Sequence, residues 1–179
     1  MIKTKDLARL AMCVAMLIGG QLALSALSGV EIVSVLLLCF AFSYGRRDGV
    51  MIAVVFSLLR CLIFGFHINV IILYLIYYPS FAFFFGWLST KIKGEITVKK
   101  LAVIVGFTVA FTICFTLLDD VLTPILFSLP PAAAKTYFLS SLYSLIPHVI
   151  CVGTTVSIFF LPITRVIKKI EKSMNQSLK

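Results

Sequence analysis

Six hydrophobic runs separated by short polar segments make up most of the chain. They cover approximately residues 7–27, 30–44, 50–66, 68–90, 101–118 and 137–164. A helix needs about 20 apolar residues to cross a bilayer, so the second run is short. We expect it either to begin in the outer interface of the membrane or to be shielded by neighbouring helices. We therefore predict an all-α membrane protein with six transmembrane helices in one compact domain, residues 1–179.

Basic residues fall in every second gap between these runs. Fourteen of the 16 Lys and Arg residues lie before or at the start of the first run, between the second and third, between the fourth and fifth, or after the sixth. Short loops rich in Lys and Arg stay on the cytoplasmic side, so we expect both termini to be cytoplasmic. The net charge of +9 is then an orientation signal and does not indicate nucleic acid binding.

Composition and motifs narrow the function classes. With 61% hydrophobic and 13% charged residues, a soluble globule is excluded. The chain has no phosphate-binding loop, no H-E-x-x-H and no G-x-S-x-G sequence, so we expect neither an enzyme nor a cofactor. The five cysteines lie in different runs without a ligand spacing, and with only two histidines they predict reduced, packed thiols and no metal site.

Polar side chains that are costly at membrane depth gather toward the predicted outer side. Such groups are expensive in lipid and usually functional, and tyrosine rings beside them can stack on a heterocycle. We therefore predict a solute site that opens outward. Its candidate residues are Glu31, Arg60, His67, Asn69, Tyr74, Tyr78, Asp119, Tyr143 and His148.

The charge of the solute stays open at this stage. Arg60, His67 and Lys135 would receive a carboxylate or phosphate, whereas the acidic residues would receive a cation. Arg60 has a structural alternative, an ion pair with Glu31 or with an aspartate of the couple at 119–120. That aspartate couple could equally be a solvated helix end.

The remaining polar candidates have structural alternatives as well. His148 follows Pro147 and could donate to a backbone carbonyl that the proline leaves free. His67 and Asn69 could be ordinary loop residues. Tyr74 and Tyr78 belong to an aromatic stripe around Pro79, which could serve packing or lipid contact, and this proline is expected to kink the helix.

Glycines and prolines predict the irregular segments. Gly19 and Gly20 are expected to weaken the first helix and leave 21–30 partly irregular. Gly45 and Gly49 flank two arginines and an aspartate, which indicates a cytoplasmic turn and not a dimerisation face. Asp119–Thr136 contains three prolines, which argue against a continuous helix, and we expect this segment to form an outer lid.

A row of small residues follows one face of the first helix at spacings of 3, 4, 4, 4 and 3. Small residues let two helix backbones approach closely in lipid. The row therefore either packs inside the bundle or docks another membrane protein. Its members are Ala8, Ala11, Ala15, Gly19, Ala23 and Ala26.

Within that row, Ala11-Met12-Cys13-Val14-Ala15 resembles the A-x-x-x-A motif of the S components of energy-coupling factor (ECF) transporters. Length, helix number and topology are similar to that family over nearly the whole chain. The resemblance implies a bacterial cytoplasmic membrane protein that binds a vitamin or related micronutrient near the outer face, between helices 4–6 and the outer loops. It also implies docking through Ala8, Ala11, Ala15 and Gly19 to a membrane T component that works with two ABC-type ATPases.

The alternative is a non-transporting membrane scaffold of similar size, such as a rod-shape-determining protein. A scaffold needs faces for its partners but no outer cavity with buried polar groups. The discriminating feature is whether Arg60, His148 and the face carrying Tyr74 and Tyr78 converge on one pocket.

Overall fold

Five α-helices form the part of the chain that the computed structural model describes, residues 4–24, 32–92, 94 and 96–176. No strand occurs within these ranges, and the predicted all-α class is confirmed. Four helices (α1, α3, α4 and α5) are long and apolar enough to cross a membrane, which makes the chain a multi-pass membrane protein. The helices are α1 Thr4–Leu24, α2 Val33–Phe64, α3 Ile68–Lys91, α4 Val98–Leu126 and α5 Pro131–Gln176.

α2 is broken at Gly45 into two arms, residues 33–44 and 46–64, which correspond to the second and third hydrophobic runs. Gly45 has a φ of 83°, a conformation that glycine adopts without steric cost. A Cβ on Gly49 would lie 2.9 Å from the Cα of Ala41, although eight residues of straight helix would separate the two by about 12 Å. The arms therefore fold back on each other, and the predicted turn is confirmed.

The first arm of α2 lies at the centre of the bundle. Every residue from Val33 to Phe42 is buried, as expected for a helix that is hydrophobic on all sides. α2 packs against α1, α3 and α5, while α4 packs against α3 and α5. The prediction that neighbouring segments shield this short run is confirmed.

The helix is interrupted between Asp119 and Thr136 as predicted, but the predicted helix end at 118 and helix start at 137 are wrong, and most of this segment is helical and not a separate lid. α4 continues through Pro124 to Leu126, and only residues 127–130 separate it from α5. Pro131 is the first residue of α5, a position where a missing N–H costs nothing because helical N–H groups there have no partner anyway. α5 consequently begins before the predicted 137 and also extends beyond 164, to Gln176.

The predicted irregularity after Gly19 and Gly20 is wrong as far as Leu24, because α1 is helical to that residue. A Cβ on Gly20 would lie 3.0 Å from the Cγ2 of Ile32, so this glycine allows α1 to approach the start of α2. That packing offsets the low helix propensity of glycine. The rest of the predicted irregular stretch, 25–30, lies outside the described residues.

Candidate functional site

Five polar residues meet where the start of α3, the end of α4 and the start of α5 come together, at the end of the bundle that the charge pattern predicts to be outer. Because the helices run up and down, these three ends meet on one side. We call this group the aspartate corner. It consists of Asn69, Asp119, Asp120, Thr123 and Tyr137.

Asp119 is the centre of the hydrogen bonds in the aspartate corner. Thr123, one turn later on α4, donates from Oγ1 to Asp119 Oδ1 at 2.7 Å. The Tyr137 hydroxyl on α5 donates to Asp119 Oδ2, also at 2.7 Å. Asn69 Nδ2 on α3 donates to Thr123 Oγ1 at 3.3 Å. Two predicted site residues, Asn69 and Asp119, are thus joined through Thr123, and three helices are tied together.

Asp120 is the unusual member of the aspartate corner. Asp120 is only 7% exposed, and neither of its carboxylate oxygens has a hydrogen-bond partner. The Ser141 hydroxyl lies close enough to interact with the Asp120 carboxylate, but not with the distance and angle of a hydrogen bond, and the Asp119 carboxylate adds a second negative charge beside it. Asn69 Oδ1 is likewise buried without a donor. The corner therefore holds three buried acceptor atoms without a donor, an arrangement that costs free energy in an isolated chain.

Arg60 lies apart from the carboxylates, between aromatic rings. Its guanidinium carbon is 4.2 Å from the centroid of the Tyr74 ring and 5.1 Å from that of Phe64. Neither Asp119 nor Asp120 forms an ion pair with it, so that structural alternative is wrong. The Nε of Arg60 is buried without an acceptor. Its pairing with Glu31, and the role of Glu31 as a site residue, lie outside the described residues.

The tyrosines of α3 belong to a packed aromatic cluster. Tyr74 contacts Tyr78 at a centroid distance of 4.8 Å and Phe115 of α4 at 5.9 Å. Tyr78 is 2% exposed and meets Phe56 edge-to-face at 5.3 Å. Tyr74 lies beside Arg60 and is half-buried, so it is more accessible than the fully packed Tyr78.

Three other predicted site residues lie elsewhere. His67 is exposed and immediately precedes α3. Tyr143 is 83% exposed, on a face of α5 that points away from the packed interior. His148 is half-buried further along α5. Tyr143 therefore does not join the aspartate corner, while the role of all three in binding stays a prediction.

A cluster of charged residues at the opposite end of the bundle was not predicted as an interacting group. Arg9 on α1 donates a hydrogen bond to Asp48, next to the turn in α2, and lies 4.0 Å from Glu171 on α5 and 3.6 Å from Asp6. Its guanidinium also covers the Tyr44 ring at 4.6 Å. The i, i+3 spacing of Asp6 and Arg9 was the only signal in the sequence.

Above this charged cluster, an apolar groove of about 520 Å³ separates α1 from the C-terminal half of α5. α2 forms its floor, through residues that include Leu36, Phe40 and Tyr44. The groove shows that α1 is held mainly by α2 and not by α5.

Most of the small-residue row of α1 faces away from the bundle, while Ala8 also lines the apolar groove. All its described members are exposed, and a Cβ on Gly19 would meet nothing within 4 Å. The opposite face, which includes Leu10 and Leu17, is buried against the rest of the fold. Packing of this row inside the bundle is therefore wrong for Ala8, Ala11, Ala15, Gly19 and Ala23. Ala26 lies outside the described residues.

The prediction of free thiols is confirmed, but the prediction that they are packed is wrong for Cys114, which is exposed. All five are free, and three of them (Cys13, Cys39 and Cys61) are buried. Across residues 4–24, 32–92, 94 and 96–176, no three His, Cys, Asp or Glu side chains are placed to hold a metal ion.

Comparison with known proteins yields no family: no family model matches, and no curated protein or solved structure is similar enough to count as a match.

Proposed function

We propose that this chain is the substrate-binding S component of an ECF-type importer in a bacterial cytoplasmic membrane. In this proposal α1, the two arms of α2, α3, α4 and α5 give six crossings with both termini cytoplasmic. The aspartate corner receives a small micronutrient from the outer side, and a membrane T component with two ABC-type ATPases supplies the energy.

The observation that carries the proposal is the uncovered row of small residues on α1. A helix face that contacts only lipid gains nothing from a continuous row of Ala and Gly, because large apolar side chains make at least as much contact with lipid. Such a row favours close approach by a second helix. Ala11 and Ala15, the motif residues of the S-component resemblance, lie within it and are exposed.

The aspartate corner provides the second support. A membrane protein that only scaffolds its partners has no need for a buried carboxylate without a donor, since such a group is costly in lipid. Asp120 is such a group, at the end of the bundle where the proposal places the solute.

The test is affinity purification of the full-length chain from membranes of the bacterium that encodes it. We expect a T component and two ATPases to co-purify, and the double variant Ala11→Leu/Ala15→Leu to lose them while keeping its yield and its melting temperature. The matched control is Ala102→Leu/Ala110→Leu on α4, where both alanines are also exposed. Retention of the ATPases by the α1 variant contradicts the docking face. Purification with cell-wall proteins and without ATPases would favour the scaffold.

A further inference from the structure

The three buried acceptors of the aspartate corner indicate which chemical class of solute it takes. Asp120 Oδ1, Asp120 Oδ2 and Asn69 Oδ1 are withdrawn from water and have no donor. In the same corner, Asp119 already accepts one hydrogen bond on each oxygen. The corner is thus saturated with acceptors and lacks donors, and a ligand that completes it must bring N–H or O–H groups.

Charge narrows the class further. Two adjacent carboxylates share the corner, and no Lys or Arg of the described chain forms an ion pair with either of them. Arg60 is held by the rings of Tyr74 and Phe64. A positive partner stabilises carboxylates at membrane depth, whereas an anionic ligand would add repulsion.

A bare metal ion fits the corner less well than an organic cation. Metal sites for hard cations need six or more oxygen ligands or a compact cage of carboxylates. The described residues offer no group of three metal-ligating side chains, and one carboxylate here is already committed to Thr123 and Tyr137. An ammonium needs only two or three acceptors, which the corner provides.

We infer that the aspartate corner binds the cationic nitrogen of an organic solute, a protonated amine or a protonated ring nitrogen, with Asp120 and the Asn69 side-chain carbonyl accepting its N–H groups. The inference rests on the proposed function only in one respect, that the cation belongs to a transported solute. The cation chemistry itself comes from the corner alone.

The first arm of the test needs no ligand. Asp120→Asn keeps the shape of the side chain and removes its charge, so the ligand-free protein in detergent should melt at the same or a higher temperature. An internal role for the carboxylate would instead lower the melting temperature, and such a decrease overturns the inference. The control is Asp6→Asn, the same change at a carboxylate that is 39% exposed and 3.6 Å from Arg9.

The second arm uses probes of different charge on one ring: tyramine (ammonium), tyrosol (hydroxyl) and 4-hydroxyphenylacetate (carboxylate), with methylammonium as the smallest cation. We expect a cationic probe to raise the melting temperature by about 3–5 °C at ten times its Kd, and Asp120→Asn to remove that shift. Equal shifts from all three ring compounds, a larger shift from the carboxylate, no shift from either cation, or a shift that survives in Asp120→Asn would each overturn the inference.

A third arm separates the organic cation from a metal ion. Sodium chloride and methylammonium chloride are compared at equal concentration, and a larger stabilisation by sodium that depends on Asp120 assigns the corner to a metal cation and overturns the inference. Failure of this inference can be distinguished from failure of the proposed function. Cation binding without any co-purified T component or ATPase removes the importer and leaves the corner, whereas an intact complex with a destabilised Asp120→Asn removes only the corner.

Discussion

The guanidinium of Arg60 lies over the face of the Tyr74 ring, 4.2 Å from its centroid. Phe64 approaches the same charge from α2, at 5.1 Å. The positive charge of Arg60 is therefore stabilised by aromatic faces and not by an aspartate of α4. A desolvated contact of this kind contributes about 2 kcal/mol, enough to hold the side chain in place without a carboxylate.

This contact predicts coupling between Arg60 and Tyr74. In a double-mutant cycle of Arg60→Gln and Tyr74→Leu, we expect an interaction of about 1–2 kcal/mol, measured by unfolding in mild detergent. Tyr74→Phe keeps a ring face and should retain most of the coupling. The pair of Arg46 and Phe83, at 5.6 Å and with both residues exposed, should give a value near zero. Additive effects at Arg60 and Tyr74 would show that the ring does not hold the charge.

Gly86 on α3 predicts a second, steric effect. A Cβ at this position would lie 2.6 Å from the Cα and the N of Arg46, backbone atoms that cannot rotate away. We expect Gly86→Ala to lower stability by about 2–3 kcal/mol, because α3 must move away from the turn in α2.

Gly106 provides the matched control for Gly86. It lies within α4, and a Cβ there would meet nothing within 4 Å. Gly106→Ala should therefore gain up to about 1 kcal/mol from helix propensity alone. Thermal unfolding of both variants checks the prediction, and a Gly86→Ala protein as stable as Gly106→Ala would mean that the turn does not rest on α3.

Much of the helical framework follows from the sequence because membrane helices need long apolar runs. The predicted 68–90 is observed as α3 Ile68–Lys91, and Gly45 was recognised as a turn from the charges beside it. The end of α4 and the start of α5 were misplaced because prolines were taken as breaks. Pro131 occupies the first helical turn, where proline is tolerated, and Pro124 lies inside α4, so a rule based on residue type alone does not distinguish such prolines from true breaks.

Helix faces were harder to predict than helix ends. Asn69 and Asp119 were found because polar side chains that are costly at membrane depth gather at the predicted outer end of the bundle. Tyr143 was assigned to the site, yet it is 83% exposed. In a membrane protein the face toward lipid is as apolar as the face toward the core, so hydrophobic periodicity does not reveal which side of α5 packs inward. The contact of Arg60 with Tyr74 and Phe64 was not predicted, because the expected partner of its charge was a carboxylate and not an aromatic ring.

The two donors to Asp119 predict a non-additive loss of stability. Tyr137→Phe and Thr123→Val each remove one donor to Asp119 at 2.7 Å and leave the other, and Thr123→Val also removes the acceptor of Asn69 Nδ2, so we expect a cost of about 1–2 kcal/mol for Tyr137→Phe and a somewhat larger one for Thr123→Val. The double variant leaves Asp119 without either donor and should cost more than the sum, because a poorly solvated carboxylate is then unpaired. The measurement is thermal unfolding of the two single variants and the double variant. A strictly additive result would indicate that water already solvates Asp119.

The charged cluster around Arg9 makes the last prediction, a ranking of its three acidic partners. Asp48 accepts a hydrogen bond from Arg9 and is 25% exposed, whereas Asp6 and Glu171 lie at 3.6 and 4.0 Å and are 39% and 35% exposed. Exposed ion pairs contribute little, while a hydrogen bond between charged groups that are mostly buried contributes more. We expect Asp48→Asn to cost about 1–2 kcal/mol, and Asp6→Asn and Glu171→Gln less than about 0.5 kcal/mol each. Thermal unfolding at low and high salt checks the ranking, since screening should weaken the two exposed pairs first. If Glu171→Gln cost as much as Asp48→Asn, α5 would anchor the N-terminal end of α1 as strongly as the turn in α2 does.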